Sequence, residues 1–225
     1  MKKTVACLLA TMLLLAAVPA LAGESLEVLK ENFRQYNDEY MPFSCFYAKV
    51  QNKSAEPVLI TEYDLDMKDA DGNVLVHDEF GASFGLVLQP GEYTYAWFFE
   101  YEEGQENAVD CAFSYKETAP DGRYSTVRFE STGALEKTQD EWGTDLTMLV
   151  SVTNPTEEPL YDLSCLAVLL DAEDNILYIS TDCAYDIGIA PGSTVTFRFS
   201  VPGYYLEGMS LEGLKVDSLA LVDSY

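Results

Sequence analysis

The sequence predicts an all-β protein built from two tandem antiparallel β-sandwiches. Two observations support this prediction. The same 22-residue frame occurs twice, as NKSAEPVLITEYDLDMKDADGN from Asn52 to Asn73 and as NPTEEPLYDLSCLAVLLDAEDN from Asn154 to Asn175. Within each copy, apolar and polar residues alternate over short runs that Gly, Pro, Asn and Asp separate, which is typical of half-buried strands joined by turns.

The repeat extends well beyond this frame. With an offset of 102 residues, YAKVQN corresponds to LVSVTN, and after one deletion the offset becomes 101, so that LQPGEYTY corresponds to IAPGSTVT. We therefore expect one sandwich over residues 23–118 and a second over residues 122–225, each of ordinary single-domain length. The segment KETAPDGRY between them has the Pro-Asp-Gly turn chemistry of a short linker.

The first 22 residues have the features of a cleaved signal peptide. Lys2 and Lys3 precede an apolar run from Thr4 to Val18, and the sequence Ala-Leu-Ala ending at Ala22 is a small-x-small cleavage site. A retained membrane anchor is the alternative, although the apolar run is short for a membrane span. Cleavage predicts a secreted or cell-envelope protein that is not held in a membrane afterwards.

The chain is strongly acidic. It carries 38 acidic residues against 13 basic ones, and its net charge is −25 at pH 7. A field of this sign repels nucleic acid and anionic lipid, and it favours contact with cations or basic partners. Because 48% of the residues are hydrophobic and 12% are aromatic, the chain has enough apolar surface to build packed cores, which excludes a disordered protein.

Four cysteines follow the predicted signal peptide, at positions Cys45, Cys111, Cys165 and Cys183. An even number in an exported chain permits two disulfides, and four cysteines allow three pairings. We expect Cys45–Cys111 and Cys165–Cys183, because each bridge then lies within one repeat. Four buried thiols are the alternative if the source organism lives without oxygen.

The first repeat divides into six predicted strands in the order of an immunoglobulin-like sandwich. They are strand B at Phe43–Gln51, strand C at Val58–Lys68, a fourth-position strand at Val74–Asp78, strand E at Ser83–Leu88, strand F at Tyr93–Tyr101 and strand G at Val109–Tyr115. Only the stretch SLEVLKENFRQY, from Ser25 to Tyr36, has a periodicity that suggests a helix.

The turn motifs of the first repeat are VQNKS, DADGN and LQPGE. They resemble the strand end, hairpin and corner of bacterial extracytoplasmic immunoglobulin-like modules of the FxLYD-like type. The resemblance extends over both repeats. It implies a β-sandwich fold and a binding or structural role rather than catalysis.

Few residues are candidates for catalysis or metal binding. His77 is the only histidine, and it lies on a predicted strand beside acidic residues, without a nucleophile or base at a spacing that makes a catalytic pair. The segment from Asp69 to Asn73 resembles the start of a calcium loop, but it lacks the further acids and the closing Glu. The second repeat has DAEDN at the same place, which fits a hairpin turn. We expect a non-enzymatic protein without a cofactor.

The repeats differ most at positions predicted to face away from their cores. On strand C these positions are charged in the first repeat and apolar in the second: Asp64, Asp66 and Lys68 correspond to Leu166, Val168 and Leu170. On strand F the aromatic residues are in the first repeat and the polar ones in the second: Tyr93, Tyr95, Trp97 and Phe99 correspond to Thr194, Thr196, Arg198 and Ser200.

Strands C and F are neighbours in one sheet of an immunoglobulin-like sandwich. Each repeat is therefore expected to carry an apolar patch on the outer face of its C–F sheet, and such patches mark contact surfaces. Three interpretations remain open. A slip of register by one residue would place these side chains in the cores, or a flanking segment of the chain would cover them. Otherwise the patches pack between domains or subunits, or they bind a ligand.

Together these features predict a secreted, non-enzymatic binding or structural protein that acts through the outer C–F face. A protein partner or a second copy of the chain is the expected occupant. The alternative is a carbohydrate-binding protein in which the exposed aromatic residues Tyr93, Tyr95 and Trp97 stack on a sugar. Solvent exposure of Trp97 distinguishes the two hypotheses.

Overall fold

The computed structural model confirms the all-β prediction. It describes six stretches of the chain: residues 25–36, 43–79, 82–101, 104–139, 144–206 and 209–224. These residues form fifteen strands and two short 3-10 helices, Gln105–Asn107 and Gly203–Leu206. The described part contains no helix with the length and apolar character that a membrane span requires. The predicted signal peptide, residues 1–22, lies outside the described residues.

The first half of the chain contributes two antiparallel sheets. Its strands are β1 (Leu26–Tyr36), β2 (Phe43–Asn52), β3 (Val58–Lys68), β4 (Val74–Asp78), β5 (Ala82–Ser83), β6 (Val87–Leu88), β7 (Tyr93–Glu100) and β8 (Asp110–Thr118). One sheet has the order β1-β2-β7-β5, and in the other β3 pairs with β4, β6 and β8. The first core fills the space between them and includes Phe46, Phe98, Leu65, Met67 and Phe113.

The second half repeats this plan. Its strands are β9 (Ser125–Phe129), β10 (Ser131–Gln139), β11 (Thr144–Thr153), β12 (Leu163–Leu170), β13 (Ile176–Ala184), β14 (Thr194–Val201) and β15 (Lys215–Ser224). They form the sheets β10-β11-β14 and β13-β12-β15-β9. Residues such as Met148, Val150 and Phe197 are buried between these sheets.

The predicted helical stretch from Ser25 to Tyr36 is wrong. Leu26–Tyr36 is strand β1, which pairs with β2 along its length. The register shifts between Val28 and Lys30, and this bulge places one extra residue in the strand. The extra residue interrupts the two-residue alternation, which is why the stretch lacks the sequence pattern of a strand.

The predicted pairing of strands C and F is also wrong. Strand C is β3, and strand F is β7, and they lie in different sheets of the first half. Their counterparts β12 and β14 are likewise in different sheets of the second half. The outer C–F face on which the sequence hypothesis rested therefore does not exist. Alternation indicates which face a side chain occupies, but it does not indicate which strand lies alongside.

The four sheets stack as four layers. The outer face of the β1-β2-β7-β5 sheet packs on the outer face of the β13-β12-β15-β9 sheet, so that Tyr47 and Tyr95 of the first half share one apolar cluster with Leu166 and Val168 of the second. The remaining outer faces form the two ends of the stack. They carry Asp64, Asp66 and Lys68 at one end and Thr194, Thr196, Arg198 and Ser200 at the other.

Candidate binding surface between the two sandwiches

The stripes that distinguish the two repeats lie in the layer where the two halves meet. Leu166 and Val168 are completely buried, and Leu170 is nearly so. Tyr95 is completely buried, whereas Tyr93, Trp97 and Phe99 are half-buried and pack against the same cluster. The residues that alternate with them on β7, Ala96 and Phe98, lie in the first core instead. A one-residue slip of register, one of the open interpretations, therefore did not occur.

Burial at this contact explains why the two repeats diverge. A Leu or Val side chain that leaves water contributes roughly 1.5–3 kcal/mol as an upper estimate. The positions of the second repeat that are covered by the first, among them Leu166 and Val168, are apolar for this reason. Their counterparts Asp64 and Asp66 lie on an outer layer, where charge keeps the sheet soluble.

A charged and hydrogen-bonded network lies inside this contact. The carboxylate of Asp217, on β15, accepts hydrogen bonds from the hydroxyls of Tyr93 and Tyr95. The ammonium of Lys49 lies 3.0 Å from Asp217 Oδ2 and 3.8 Å from the centroid of the Tyr93 ring. Asp217 is opposite Val168 in the β12–β15 register and so shares its face. The network therefore joins β2 and β7 of one half to β15 of the other.

The network holds Asp217 in its ionised form. Burial alone would raise the pKa of Asp217, but hydrogen bonds from Tyr95, Lys49 and Tyr93 and the positive charge of Lys49 bring this pKa below its ordinary value. Burial and the neighbouring carboxylate raise the pKa of Tyr93 to about 12 and that of Tyr95 further in the same direction. Both hydroxyls consequently remain donors at neutral pH.

Further polar contacts cross the junction along its edges. The amide of Asn32 donates to the carbonyl oxygen of Ile176 at 2.6 Å, and Arg128 Nε lies 3.2 Å from Glu92 Oε2. Gly85 has a positive φ of 84°, and a Cβ at this position would lie 2.9 Å from the Leu221 side chain. Glycine therefore permits both the turn and the close approach of the two halves there.

Two adjoining cavities at the junction share Trp97 and Thr181 in their linings, and together they are called the cleft. On one side of Trp97 a space of about 280 Å³ is lined mainly by aromatic residues: Phe99, Tyr101, Tyr178, Tyr204 and Tyr205. On the other side, about 440 Å³ is lined by a more polar set that includes Ser164, Thr181, Asp182, Tyr185 and Asp223. Three of these tyrosines are exposed, namely Tyr101, Tyr185 and Tyr204. The cleft combines flat apolar surfaces with carboxylates, and no lysine or arginine is among its described lining residues.

The premise of the carbohydrate alternative needs correction. It required Tyr93, Tyr95 and Trp97 to form one exposed aromatic face, but Tyr95 is completely buried and the other two are half-buried. The reason is that the second half of the chain covers this face. Trp97 lines the cleft.

The predicted disulfides are absent, and all four described cysteines are free thiols. Cys45 belongs to the cluster between the halves, whereas Cys111 packs against the first core, so the β1-β2-β7-β5 sheet separates them. Cys165 is opposite Asp182 rather than Cys183 in the β12–β13 register, so the two thiols point to opposite faces of one sheet. Burial raises the pKa of Cys45 and of Cys165 to about 12, which favours the inert thiol form.

The DADGN segment is a hairpin turn that closes on itself. Asp69 Oδ1 accepts hydrogen bonds from the backbone amides of Asp71 and Asn73, each at 2.9 Å. Asp171 does the same for Glu173 and Asn175 in the second repeat. The carboxylate oxygens thus satisfy the turn, which agrees with the prediction of a turn at both places.

Sequence reasoning missed Lys49 and Asp217, the charged members of the junction. A signal was present, because each is a charged residue at the position of a strand that faces away from its own core. Asp217 lies two residues before Leu219 and four before Leu221, all on the covered face of β15. A charge within such a stripe indicates either an exposed edge or a specific polar contact, and the sequence does not distinguish these.

Comparisons with known proteins give only a weak likeness of fold. No protein-family model matches the chain, and no curated protein matches it. Among solved structures, the chain is similar to a transglutaminase of red sea bream, with 11% sequence identity and a TM-score of 0.23. The match covers 77% of this chain and 27% of the transglutaminase chain. A likeness at this level carries no conclusion about activity.

Proposed function

We propose that the protein is a non-enzymatic, extracytoplasmic binding module whose two sandwiches form one rigid unit. Its contact surface is the cleft at Trp97, and its ligand is a basic segment of a partner protein. The observation that carries the proposal is the composition of the cleft. Aromatic rings line it, and its charged lining residues, Asp182 and Asp223, are both acidic.

The chemistry of a basic ligand fits these walls. A lysine or arginine side chain gains from contact with the face of a tryptophan or tyrosine, by about 0.5–2 kcal/mol depending on desolvation. Carboxylates at the rim add charge-assisted hydrogen bonds. The net charge of −25 over the whole chain attracts cationic partners and repels anionic ones before contact. The buried apolar cluster shared by the two halves supports the proposal, because a cleft between packed halves is largely formed before binding.

Tryptophan fluorescence tests this proposal. Replacing Trp142, the other tryptophan of the chain, with Phe leaves Trp97 as the reporter. A lysine- and arginine-rich peptide is expected to change the Trp97 emission saturably and in a salt-sensitive manner, whereas a glutamate-rich peptide of the same length is not. By calorimetry, Trp97→Ala and Asp223→Asn should each weaken binding several-fold to about tenfold.

The matched control is Asp145→Asn, which removes the same charge from an exposed position on β11. This variant should bind as the unaltered protein does. Equal affinity for the basic and acidic peptides, or unchanged affinity in Trp97→Ala, would contradict a basic ligand in this cleft.

A glycan is the second candidate for the same cleft. Rings at the rim, such as Trp97 and Tyr185, present faces on which a sugar stacks, and Ser164 and Thr181 supply hydroxyls beside them. A glycan array with Trp97→Ala as the comparison separates the two ligands. Glycan binding that depends on Trp97, without binding of the basic peptide, would favour the sugar.

Export is proposed together with this function. The Ala-Leu-Ala motif before Gly23 predicts cleavage after Ala22, as for a secretory signal. Mass spectrometry of the protein from its native source is expected to find an N-terminus at Gly23 in the extracytoplasmic fraction. Recovery of chains that begin at Met1 from the membrane fraction would contradict cleavage.

A further inference from the structure

We propose that the outer face of the first sandwich holds a site for a divalent transition-metal ion of the Zn²⁺ class, with Asp64, His77 and Glu79 as its ligands. Asp64 lies on β3, His77 on the neighbouring β4, and Glu79 just beyond the end of β4. One ligand atom from each of the three lies within 4.8 Å of the others. Metal–ligand bonds of about 2.0–2.2 Å in a tetrahedral site hold the ligand atoms roughly 3.4 Å apart, and rotations of these solvent-accessible side chains would bring them together.

Carboxylates hold the imidazole of His77 at both of its nitrogens. Asp66 Oδ1 lies 2.8 Å from His77 Nδ1, and Glu79 Oε1 lies 3.2 Å from His77 Nε2. A carboxylate bonded to one ring nitrogen sets the tautomer and the ring orientation of metal-binding histidines, and the other nitrogen then faces the ion. Asp66 has this supporting position here, and an ion bound at Nε2 would replace the hydrogen bond between Nε2 and Glu79, so that Glu79 becomes a second ligand.

The cluster carries negative charge that its own residues do not balance. Among the described residues, no lysine or arginine nitrogen lies within 4.0 Å of Asp64, Asp66 or Glu79, and the nearby Lys116 pairs with Glu62. Three carboxylates around one imidazole have a net charge of about −2 even when the ring is protonated. A divalent cation that replaces the imidazole proton offsets this charge more fully.

The donor atoms indicate which kind of ion the site takes. Imidazole nitrogen suits zinc and its neighbours in the transition series, whereas calcium takes six to eight oxygen ligands. With three protein ligands on an exposed face, water completes the coordination of the ion, as it does in open zinc sites. The cluster thus differs from a purely acidic surface, which would favour calcium or magnesium.

The site belongs to the first sandwich alone. The positions of Asp64, Asp66, His77 and Glu79 are occupied in the second repeat by Leu166, Val168, Ile179 and Thr181. Those residues lie on the covered sheet of the second sandwich, whereas the cluster lies on an outer layer of the stack. The metal site is therefore independent of the cleft proposed above, and either can fail without the other.

Calorimetric titration of the full chain with Zn²⁺ tests the proposal. One equivalent is expected to bind. His77→Ala and Glu79→Gln should each weaken binding at least tenfold, and Asp66→Asn should weaken it about 10–100-fold although Asp66 does not touch the ion. Because these side chains are on the surface, the variants should fold, and circular dichroism verifies this. The matched control is Glu157→Gln, which removes one charge from an exposed loop of the second repeat and should bind as before.

Three results would overturn the proposal. The first is the absence of Zn²⁺ binding to the unaltered chain. The second is unchanged affinity in His77→Ala, which would mean that the ion binds elsewhere. The third is that Ca²⁺ binds as tightly as Zn²⁺ and that His77→Ala changes the affinity for neither ion. This result would identify the face as a non-specific acidic surface.

Discussion

Replacing Val168 with Asp is expected to undock the two sandwiches and to lower the free energy of unfolding by about 4 kcal/mol or more. Val168 is completely buried in the layer between the halves. The new carboxylate would lie opposite Asp217 in the β12–β15 register, where the hydroxyls and the ammonium are already engaged by Asp217. Two like charges at facing positions of neighbouring strands repel each other, and the new carboxylate would replace a side chain that is completely buried.

Two comparisons isolate the effect of the buried charge. Ser200→Asp places the same charge on an exposed, outward position of β14 and should change stability by less than about 0.5 kcal/mol. Val168→Ala removes packing without adding charge and should fall between the two. Urea unfolding followed by circular dichroism gives the energies, and small-angle scattering gives the separation of the halves. A Val168→Asp protein with unchanged compactness and stability would contradict the four-layer arrangement.

The directions of the side chains were predictable from the sequence, because alternation in a strand determines them. Tyr95 and Val168 both point away from their own cores, as the two-residue period indicates. Strand C was predicted with the bounds that the structure has, Val58–Lys68, because Pro57 and the DADGN turn delimit it. Alternation and turn residues are local signals, so they do not depend on which distant strands pair.

The neighbours of the strands were not predictable in the same way. The predicted C–F sheet failed because pairing depends on contacts between residues far apart in sequence. β7, for example, pairs with β2, whose residues lie some fifty positions earlier. The disulfide predictions failed for the same reason. Cys165 and Cys183 are on adjacent strands, but a register offset of one residue places their thiols on opposite faces.

Neither the cleft nor the metal cluster could be predicted from the sequence, and the missing three-dimensional information differs between them. The cleft joins Trp97 to Thr181 across two halves of the chain, and no spacing in the sequence links them. The metal cluster depends on the register of one hairpin, which places His77 opposite Asp66. That register could have been inferred from the DADGN turn. The spacing of the solitary histidine in the sequence suggests no metal motif by itself.

Replacing Asp217 with Asn is expected to destabilise the protein by about 2 kcal/mol at pH 7. Truncating one member of a hydrogen-bonded charge pair at an interface costs about 2–5 kcal/mol. The lower end applies here because the side chains of Lys49 and Asp217 are 24% and 23% exposed, so that water screens the loss in part. Thermal or urea unfolding at neutral pH measures the difference. Adding Lys49→Met to Asp217→Asn should restore part of the stability, since no charge is then left without a partner and the amide oxygen that Asp217→Asn introduces can still accept from the hydroxyls of Tyr93 and Tyr95.

The dependence on pH shows whether the charge of Asp217 is responsible. Its pKa in the folded protein is lower than its ordinary value, so the ionised form stabilises the fold at pH values above the unfolded pKa of about 3.9. That contribution is lost as the pH falls through the lower folded-state pKa, because the folded and unfolded states are then both protonated. The stability difference between the unaltered protein and Asp217→Asn should therefore be constant from pH 7 to about pH 5 and should shrink below about pH 4. A difference that stays constant down to pH 3 would mean that Asp217 acts through packing and neutral hydrogen bonds rather than through its charge.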